Sequence, residues 1–384
     1  MNILFRLDAS KRIGNGHLVR CLTLADRLRI IGAEITFICR AEEKTDYNIL
    51  FSSEHKVELL KNKANKYDES YASWLAVDWE EDAEEVISVI KHLDNDIDLL
   101  IVDHYGIDSR WHRKLRDYCR QIFVIDDLAD RELDCDFLLN SSFFDEMEDY
   151  RGLLINKKCK SFIGPDYALI NPKYNQLRLE ALIKRRNKTS INEILVFMGS
   201  MDPDNYSGLV IEAIQSFKWQ ASIGVKCVLS SRSPSLEIVK KKIELMEEDS
   251  NPSYSASYLE NNKSQTVSYR PKIKIYSGTE KMENFIFNAD LCIGSGGNSA
   301  WERCVLGLPT LLTTIAPNQK RSIETISERG AADVWKSKND LLDLFGKYSS
   351  NGKKLKLLQE NAFNLCDGLG LDRLTESIMK DISL

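Results

Sequence analysis

The sequence predicts an α/β protein made of two doubly wound domains, and two features of the chain point to this class. The first is a series of short apolar, β-branched runs separated by amphipathic segments, the pattern of buried parallel strands joined by helices. The second is that this series restarts after roughly residue 190. At 384 residues the chain is long enough for two domains with full hydrophobic cores.

Each half of the chain contains five predicted strands. In the first half they are NILFRL (2–7), EITFIC (34–39), DLLIVD (98–103), QIFVID (121–126) and FLLN (137–140). In the second half they are EILVFMG (193–199), GVKCVLS (224–230), KIKIYSG (272–278), LCIGSG (291–296) and PTLLTTI (309–315).

These strands and the segments between them divide the chain. We expect an N-terminal domain over 1–170, a connection over 171–190, a C-terminal domain over 191–365 and a C-terminal helix over 366–384. Two charged or polar segments with weak strand signals, 41–75 and 247–265, are predicted to be surface insertions.

Composition excludes several classes of protein. The formal net charge of -6 argues against a nucleic-acid-binding surface, which would carry a basic excess. The nine cysteines are scattered without a CxxC pair, as expected of reduced thiols in a cytoplasmic protein and not of a zinc site or disulfide framework. No run approaches the ~18 apolar residues of a membrane helix, and the N-terminus does not read as a secretory signal. We therefore expect a cytoplasmic protein without membrane insertion.

The stretch RIGNGHLVRC (12–21) combines a glycine loop with a histidine. It follows the first predicted strand, and apolar residues at helical spacing begin at Leu18. His17 is thus expected near a helix N-terminus, where unpaired N–H groups favour anions, and Gly14 and Gly16 would let a ligand approach the backbone. The pattern lacks the third glycine of a dinucleotide fingerprint. Two alternatives stay open: His17 as a helix cap or surface residue, and the glycines as a turn without a ligand.

A second glycine loop follows the strand LCIGSG. Ser295, Gly296, Gly297 and Asn298 can offer backbone and side-chain donors to a diphosphate. Glu302 would lie about one turn inside the following helix, where a carboxylate can accept hydrogen bonds from both hydroxyls of a ribose. The alternative is a capped helix that carries an exposed acid with no ligand.

Other polar residues emerge at predicted strand ends, the edge at which open α/β sheets bind ligands. Asp103, His104 and Tyr105 follow one strand of the first half, while Asn205 and Asn318 follow strands of the second half. The adjacent Asp126 and Asp127 follow another strand. They are expected to point in different directions and to cap their loop instead of binding a metal.

Taken together these motifs resemble the PseG family of UDP-sugar hydrolases of the pseudaminic acid pathway, and the related SpsG-type spore-coat proteins. The resemblance runs in order across nearly the whole chain, which makes it more specific than either glycine loop alone. It rests on FRLDASKRIGNGHLVRCLTLADRLR (5–29), VDHYGID (102–108), IDDLADRELDCDFLLN (125–140), GPDYALI (164–170), GSGGNSAWERCVLGLPTLL (294–312) and APNQ (316–319).

The resemblance implies a GT-B fold, with two Rossmann-like domains facing a cleft as in MurG-type enzymes. It also implies hydrolysis of UDP-2,4-diacetamido-2,4,6-trideoxy-β-L-altropyranose to UDP and the free sugar. By the same resemblance His17 is the base, Tyr105 and Asn318 contact substrate or water, and Asn205 and Glu302 lie on the nucleotide side.

This chemistry agrees with the residue types. An imidazole can remove a proton from water at neutral pH, and attack opposite the UDP leaving group would invert the anomeric carbon. No cluster of metal ligands is visible, so we expect a metal-independent enzyme without a cofactor whose partner is a UDP-sugar.

Two other functions remain open from the sequence. A GT-B glycosyltransferase would use His17 to deprotonate an acceptor hydroxyl instead of water, because fold alone does not decide the reaction. A non-catalytic sugar-nucleotide-binding protein would bind without turnover, although a histidine after a complete glycine loop argues against it. The sequence leaves the oligomeric state open, a monomer included.

Overall fold

The computed structural model describes residues 1–10, 13–41, 47–63, 70–93, 95–142, 146–248, 269–278 and 281–382. The chain forms two compact units. Unit 1 comprises Met1–Pro172 together with Gly368–Leu384, and unit 2 comprises Lys173–Asp367. Each unit is built around one sheet of parallel strands, so the predicted class of two doubly wound α/β domains is confirmed.

The sheet of unit 1 has seven strands in the order β3-β2-β1-β4-β5-β6-β7, all paired in parallel. The strands are β1 (Asn2–Leu7), β2 (Glu34–Ala41), β3 (Lys56–Lys61), β4 (Ile97–Asp103), β5 (Cys119–Ile125), β6 (Phe137–Asn140) and β7 (Lys160–Ile163). The helices of this unit are α1 (Gly16–Ile30), α2 (Asn48–Phe51), α3 (Trp79–Leu93), α4 (Ser109–Leu115), α5 (Glu146–Asp149) and α14 (Gly370–Ile382).

Helices cover both faces of this sheet. Successive side chains of a strand point to opposite faces, so neighbouring residues of one strand pack against different helices. In β1, Ile3 and Phe5 pack with apolar residues of α1 and α14, while Leu4 packs with those of α3 and α4. The C-terminal helix α14 therefore contributes Leu371 and Leu374 to the core of unit 1.

Unit 2 has a six-stranded parallel sheet in the order β10-β9-β8-β11-β12-β13. Its strands are β8 (Glu193–Phe197), β9 (Gly224–Leu229), β10 (Lys272–Ser277), β11 (Leu291–Ser295), β12 (Thr310–Thr313) and β13 (Ala332–Val334). Its helices are α6 (Pro172–Arg186), α7 (Tyr206–Ser216), α8 (Leu236–Glu248), α9 (Met282–Asn288), α10 (Ser299–Val305), α11 (Lys320–Glu328), α12 (Lys338–Ser349) and α13 (Gly352–Leu365). The core is formed by strand residues packed against α7, α8, α12 and α13.

The expected surface insertion over 41–75 is wrong for the part that the structure describes. Strand β3 forms an edge of the sheet of unit 1 within this segment, and a 3₁₀ helix follows it at Tyr71–Leu75. Strand β3 was missed because only Leu60 of its six side chains is buried, so charged residues dominate the pattern. In the other expected insertion, 247–265, only 247–248 are described, at the end of α8; the remainder lies outside the described residues.

The two sheets share the strand order 3-2-1-4-5-6 when each is counted from its own first strand. In this topology the order reverses between the first and fourth strands, and ligands bind beyond the carboxyl ends of these two strands. In unit 1 this position lies beyond β1 and β4, and in unit 2 it lies beyond β8 and β11. Within the described ranges, no helix is both long and apolar enough to cross a membrane.

Candidate active site

His17 lies beyond the carboxyl end of β1, in the first turn of α1. It is buried, with 6% of its surface exposed, and the helix N-cap is Asn15. Of the interpretations open from the sequence, the structure therefore excludes a helix cap and a surface residue. Burial of an ionisable ring at the point where the strand order reverses is instead typical of a functional group.

Asp103 holds the imidazole of His17. It is the last residue of β4 and pairs in register with Leu7, so it lies next to the loop that precedes α1. The Nδ1 atom of His17 is 2.6 Å from Oδ1 of Asp103. A carboxylate acceptor at Nδ1 favours the tautomer that carries its proton there, which leaves the lone pair on Nε2. Among the described residues, Nε2 forms no hydrogen bond within the protein.

Arg20 anchors this carboxylate. Its Nε donates to Oδ2 of Asp103 at 2.7 Å and its Nη2 donates to Oδ1 at 2.6 Å, a bidentate pair. Its Nη1 donates to Oδ2 of Asp127, also at 2.6 Å. Burial alone would raise the pKa of Asp103, but Arg20 and His17 hold that pKa well below its usual range. The carboxylate thus stays ionised and oriented beside His17.

Tyr105 joins the same network. Its ring meets that of His17 edge to face, with 4.7 Å between centroids, and its hydroxyl donates to Asp127. Burial, with a further contribution from Asp127, raises the pKa of Tyr105 well above its usual value. The phenol therefore stays protonated, and its hydroxyl helps to fix Asp127.

The expectation for Asp126 and Asp127 is half confirmed. The two carboxylates do point in different directions, and Asp126 caps its loop by accepting from the backbone N–H groups of Leu128 and Ala129. Asp127 does not share this role, because its partners are Arg20 and Tyr105.

The two glycines of the first loop differ in what requires them. Gly14 has φ of +80°, a conformation that L side chains rarely adopt, and its N–H closes a turn onto the carbonyl of Ser10. Gly16 has no positive φ, and a Cβ placed there would meet no atom of the described residues within 4 Å. Neither the backbone conformation nor packing against the described part of the chain requires glycine at position 16.

In unit 2, the loop after β11 contains one packed and one open glycine. A Cβ on Gly296 would lie 2.2 Å from a side-chain carbon of Ile323, so packing requires that glycine. Among the described residues, a Cβ on Gly297 would contact only Gln319, at an ordinary distance of 3.6 Å. Ser295 is buried at the end of β11, whereas Asn298 is the N-cap of α10 and is half-buried without a side-chain capping bond.

Glu302 lies in the first turn of α10 and is partly buried. Its Oε2 accepts a hydrogen bond from the hydroxyl of Tyr174 at 2.9 Å. Burial raises the pKa of Glu302 to about 7, although the hydrogen bond from Tyr174 and the charge of Arg303 act in the opposite direction. The acid is thus neither fully exposed nor without a partner, and it titrates near neutral pH.

The two predicted asparagines also lie in unit 2. Asn205 is the N-cap of α7, where its side chain accepts from the N–H of Gly208 at 3.1 Å, and its φ of 56° is left-handed. Asn318 is half-buried in the 3₁₀ turn Pro317–Gln319, which follows β12. The helix-capping bond occupies the side-chain oxygen of Asn205.

The predicted site residues therefore form two groups. Unit 1 brings together Gly14, Gly16, His17 and Tyr105. Unit 2 holds the remaining predicted residues, which are Asn205, Ser295, Gly296, Gly297, Asn298, Glu302 and Asn318. No grouping of three or more His, Cys, Asp or Glu side chains suited to a metal occurs in the part of the chain that is described.

Sequence reasoning missed three residues of the unit 1 site: Arg20, Asp127 as a member of the network, and Trp74. Arg20 could have been found, because it lies three residues after His17 and so on the same helix face. The ring of Trp74 lies 6.2 Å from that of His17, edge to face. No signal marked Trp74, since it lies in the segment expected to be an insertion.

Comparison with known proteins gives relatives of modest identity. No family model matches the chain. An uncharacterised protein of Methanocaldococcus jannaschii is 24% identical over 81% of the chain, which spans 55% of that protein's length. The UDP-2,4-diacetamido-2,4,6-trideoxy-β-L-altropyranose hydrolase of Campylobacter jejuni is 28% identical over 63% of the chain and 74% of its own length. The spore coat polysaccharide biosynthesis protein SpsG of Bacillus subtilis is 22% identical over 74% of the chain and 77% of its own length.

Solved structures agree on the fold. The MurG of Acinetobacter baumannii superposes with a TM-score of 0.65 and covers 99% of both chains at 12% identity. The MnaA of Staphylococcus aureus, solved with UDP, gives a TM-score of 0.60 over 100% of this chain and 97% of its own at 11% identity. The GT-B fold is confirmed, and with the relatives above so is the resemblance of the chain to the PseG and SpsG proteins.

Proposed function

We propose that the chain is a UDP-sugar hydrolase that cleaves a UDP-linked diacetamido-trideoxy sugar, by attack of water at the anomeric carbon with inversion. The observation that carries this proposal is the buried pair of His17 and Asp103, which leaves Nε2 of the imidazole without a partner among the described residues. The name of the Campylobacter jejuni relative supports the choice of substrate and reaction.

The pair can act as a general base. As water attacks, Nε2 of His17 takes its proton and the ring becomes an imidazolium. Asp103 stabilises that cation through its bond to Nδ1, as carboxylates do in hydrolases that pair an acid with a histidine. Arg20 acts as a positioning residue because it holds both oxygens of Asp103 and touches no reacting atom.

The leaving group is proposed to bind unit 2. UDP departs as a stable anion, so catalysis requires donors for its charge more than a strong acid. Gly297 and Asn298 in the loop after β11 would contact the diphosphate, and Glu302 would accept from the ribose hydroxyls. Asn205 and Asn318 would complete the contacts of unit 2, and Gly14 and Gly16 would leave room for the sugar beside His17.

This mechanism requires no metal ion and no cofactor. We therefore propose that turnover is unchanged by a chelator such as EDTA, whereas a metal-dependent enzyme would lose activity. The nine cysteines are all free thiols, and we propose the cytoplasm as the compartment of the enzyme and polysaccharide or nonulosonic acid biosynthesis as its pathway.

The test is acceptor-free release of UDP. The purified protein is incubated with UDP-2,4-diacetamido-2,4,6-trideoxy-β-L-altropyranose, and UDP and free sugar are measured, with early ¹H NMR spectra reporting the anomeric configuration. The proposal predicts equal amounts of UDP and of sugar with inverted configuration. Release only after an acceptor alcohol is added would instead indicate a glycosyltransferase, and binding with no release under either condition would indicate a binding protein.

A further inference from the structure

Three aromatic residues stand beside the proposed base, and we name them the aromatic wall: Tyr71, Trp74 and Tyr105. The indole of Trp74 lies against the ring of Tyr105, with 5.4 Å between centroids and a tilt of 33°. Tyr71 meets both other rings, with centroid distances of 5.0 Å to Trp74 and 5.2 Å to Tyr105. The wall is therefore one packed cluster that contacts His17 through Trp74 and Tyr105.

The segment that carries Tyr71 and Trp74 is packed closely onto the loop after β4. A Cβ on Gly106 would lie 2.6 Å from the backbone oxygen of Tyr71, so glycine at this position permits the approach. Trp74 also meets the ring of His104 edge to face at 6.4 Å. The indole is thus held from several sides, yet Trp74 and Tyr71 both stay half-buried and keep accessible aromatic surface.

The charged groups around His17 satisfy one another. Arg20 directs Nε, Nη1 and Nη2 to Asp103 and Asp127. Asp103 accepts from His17 and Arg20, and also from the thiol of Cys21. Among the described residues, the charged groups of Arg20, Asp103 and Asp127 are therefore engaged with one another and with His17. The aromatic wall supplies accessible apolar surface beside them.

We infer that Trp74 is a specificity-determining residue that packs against the apolar groups of the sugar and so selects acetamido- and deoxy-substituted sugars. This inference rests on the proposed function. Transfer of a methyl group from water to an aromatic surface lowers the free energy, whereas a hydroxyl in the same place loses its hydrogen bonds to water without replacement. A 2,4-diacetamido-2,4,6-trideoxy sugar presents three methyl groups where a fully hydroxylated sugar presents hydroxyls.

The kinetic consequence is a change of selectivity. Wild type, Trp74→Ala and Trp74→Phe are compared on the diacetamido-trideoxy substrate and on UDP-glucose. In Trp74→Ala the kcat/KM for the diacetamido-trideoxy substrate divided by that for UDP-glucose should fall about tenfold, because apolar pockets discriminate such groups only modestly. Most of this fall should come from a higher KM for the diacetamido-trideoxy substrate. Trp74→Phe should retain most of the ratio. An equal fall in kcat on both substrates, with KM unchanged, would show that Trp74 only positions His17 and would overturn the inference.

Binding of the free sugar tests the inference without turnover. Saturation-transfer NMR is recorded on the free 2,4-diacetamido-2,4,6-trideoxy sugar in the presence of UDP. Transfer to its methyl protons is expected in wild type and Trp74→Phe and should be lost in Trp74→Ala. Trp79→Ala is the matched control, because Trp79 is half-buried in the same part of the chain and packs against Arg110 instead of the wall.

The NMR outcomes separate the two proposals. Methyl transfer that depends on Trp74 in a protein that releases no UDP would support the inference and refute the hydrolase. Equal methyl transfer in wild type and Trp74→Ala, or none in wild type, would overturn the inference whatever the activity.

Discussion

Replacing Asp103 by asparagine changes one charge at the centre of the unit 1 site. In the wild-type protein the carboxylate of Asp103 accepts from Nδ1 of His17 at 2.6 Å and from Nε and Nη2 of Arg20 at 2.7 and 2.6 Å. An asparagine has one oxygen, which the guanidinium would take, and its NH₂ group would then face Nδ1. This arrangement favours the tautomer of His17 with the proton on Nε2, which cannot act as a base.

The magnitude follows from this geometry. Loss of the correct tautomer in comparable acid–histidine pairs lowers kcat by roughly 10⁴-fold, and we expect a loss of about 10³- to 10⁴-fold here. The free energy of unfolding should fall by about 3 kcal/mol, the lower end for breaking a buried ion pair, because Arg20 keeps Asp127 as a partner.

The assay is UDP release under saturating substrate, with thermal unfolding recorded on the same samples. Asp8→Asn is the matched control, because Asp8 is an equally buried carboxylate in unit 1 that pairs with Arg6. It should lose comparable stability and keep turnover close to that of wild type. Turnover in Asp103→Asn within about tenfold of wild type would refute the role assigned to Asp103.

Other expected outcomes concern both units. Gly16→Ala should leave the free energy of unfolding unchanged or raise it by about 0.4–1 kcal/mol, since no atom of the described residues meets the new Cβ. The same change should lower kcat/KM, and unimpaired kinetics would mean that no ligand approaches this glycine. Gly296→Ala should cost about 1–3 kcal/mol of stability through overpacking against Ile323, whereas Gly297→Ala should weaken UDP binding in calorimetry without that cost. The affinity for UDP should rise as the pH passes through about 7, because Glu302 then ionises. This rise should exceed the pH dependence that ionisation of UDP alone produces, and the excess should be absent in Glu302→Gln. Since the pKa of Glu302 is raised from 4.5, the folded state binds more protons between pH 4.5 and about 7, so the contribution of Glu302 to stability should decline across that window and be absent in Glu302→Gln.

The ten strands expected from the sequence are all present, and most are compact apolar runs buried within their sheets. Strand β10 is an exposed edge strand whose alternating apolar residues still marked it. The three that were missed are edge strands with weak signals. Strand β3 is mostly exposed, and β7 and β13 have only four and three residues. Hydrophobic pattern detects apolar runs, so an edge strand that is short or rich in charged residues is not distinguished from a loop.

The site was predictable in its parts and not in its connections. His17 and Asp103 were both recognised at strand ends, but they lie 86 positions apart in the chain. Their contact depends on β1 and β4 being neighbours, which the strand order decides and a list of strands does not. Trp74 was out of reach for a further reason, since aromatic residues in a charged segment carry no periodic signal that would place them beside the base.

Oxygen-isotope tracing in a single turnover tests the central claim most directly. Wild type and His17→Ala are mixed in excess with the diacetamido-trideoxy UDP-sugar in H₂¹⁸O, without an acceptor, and UDP affinity is measured by calorimetry. The account predicts ¹⁸O in the freshly formed sugar and none in UDP, and a rate in His17→Ala about 10²- to 10⁴-fold lower at unchanged UDP affinity. Label in the terminal phosphate of UDP, or a rate in His17→Ala equal to that of wild type, would contradict it.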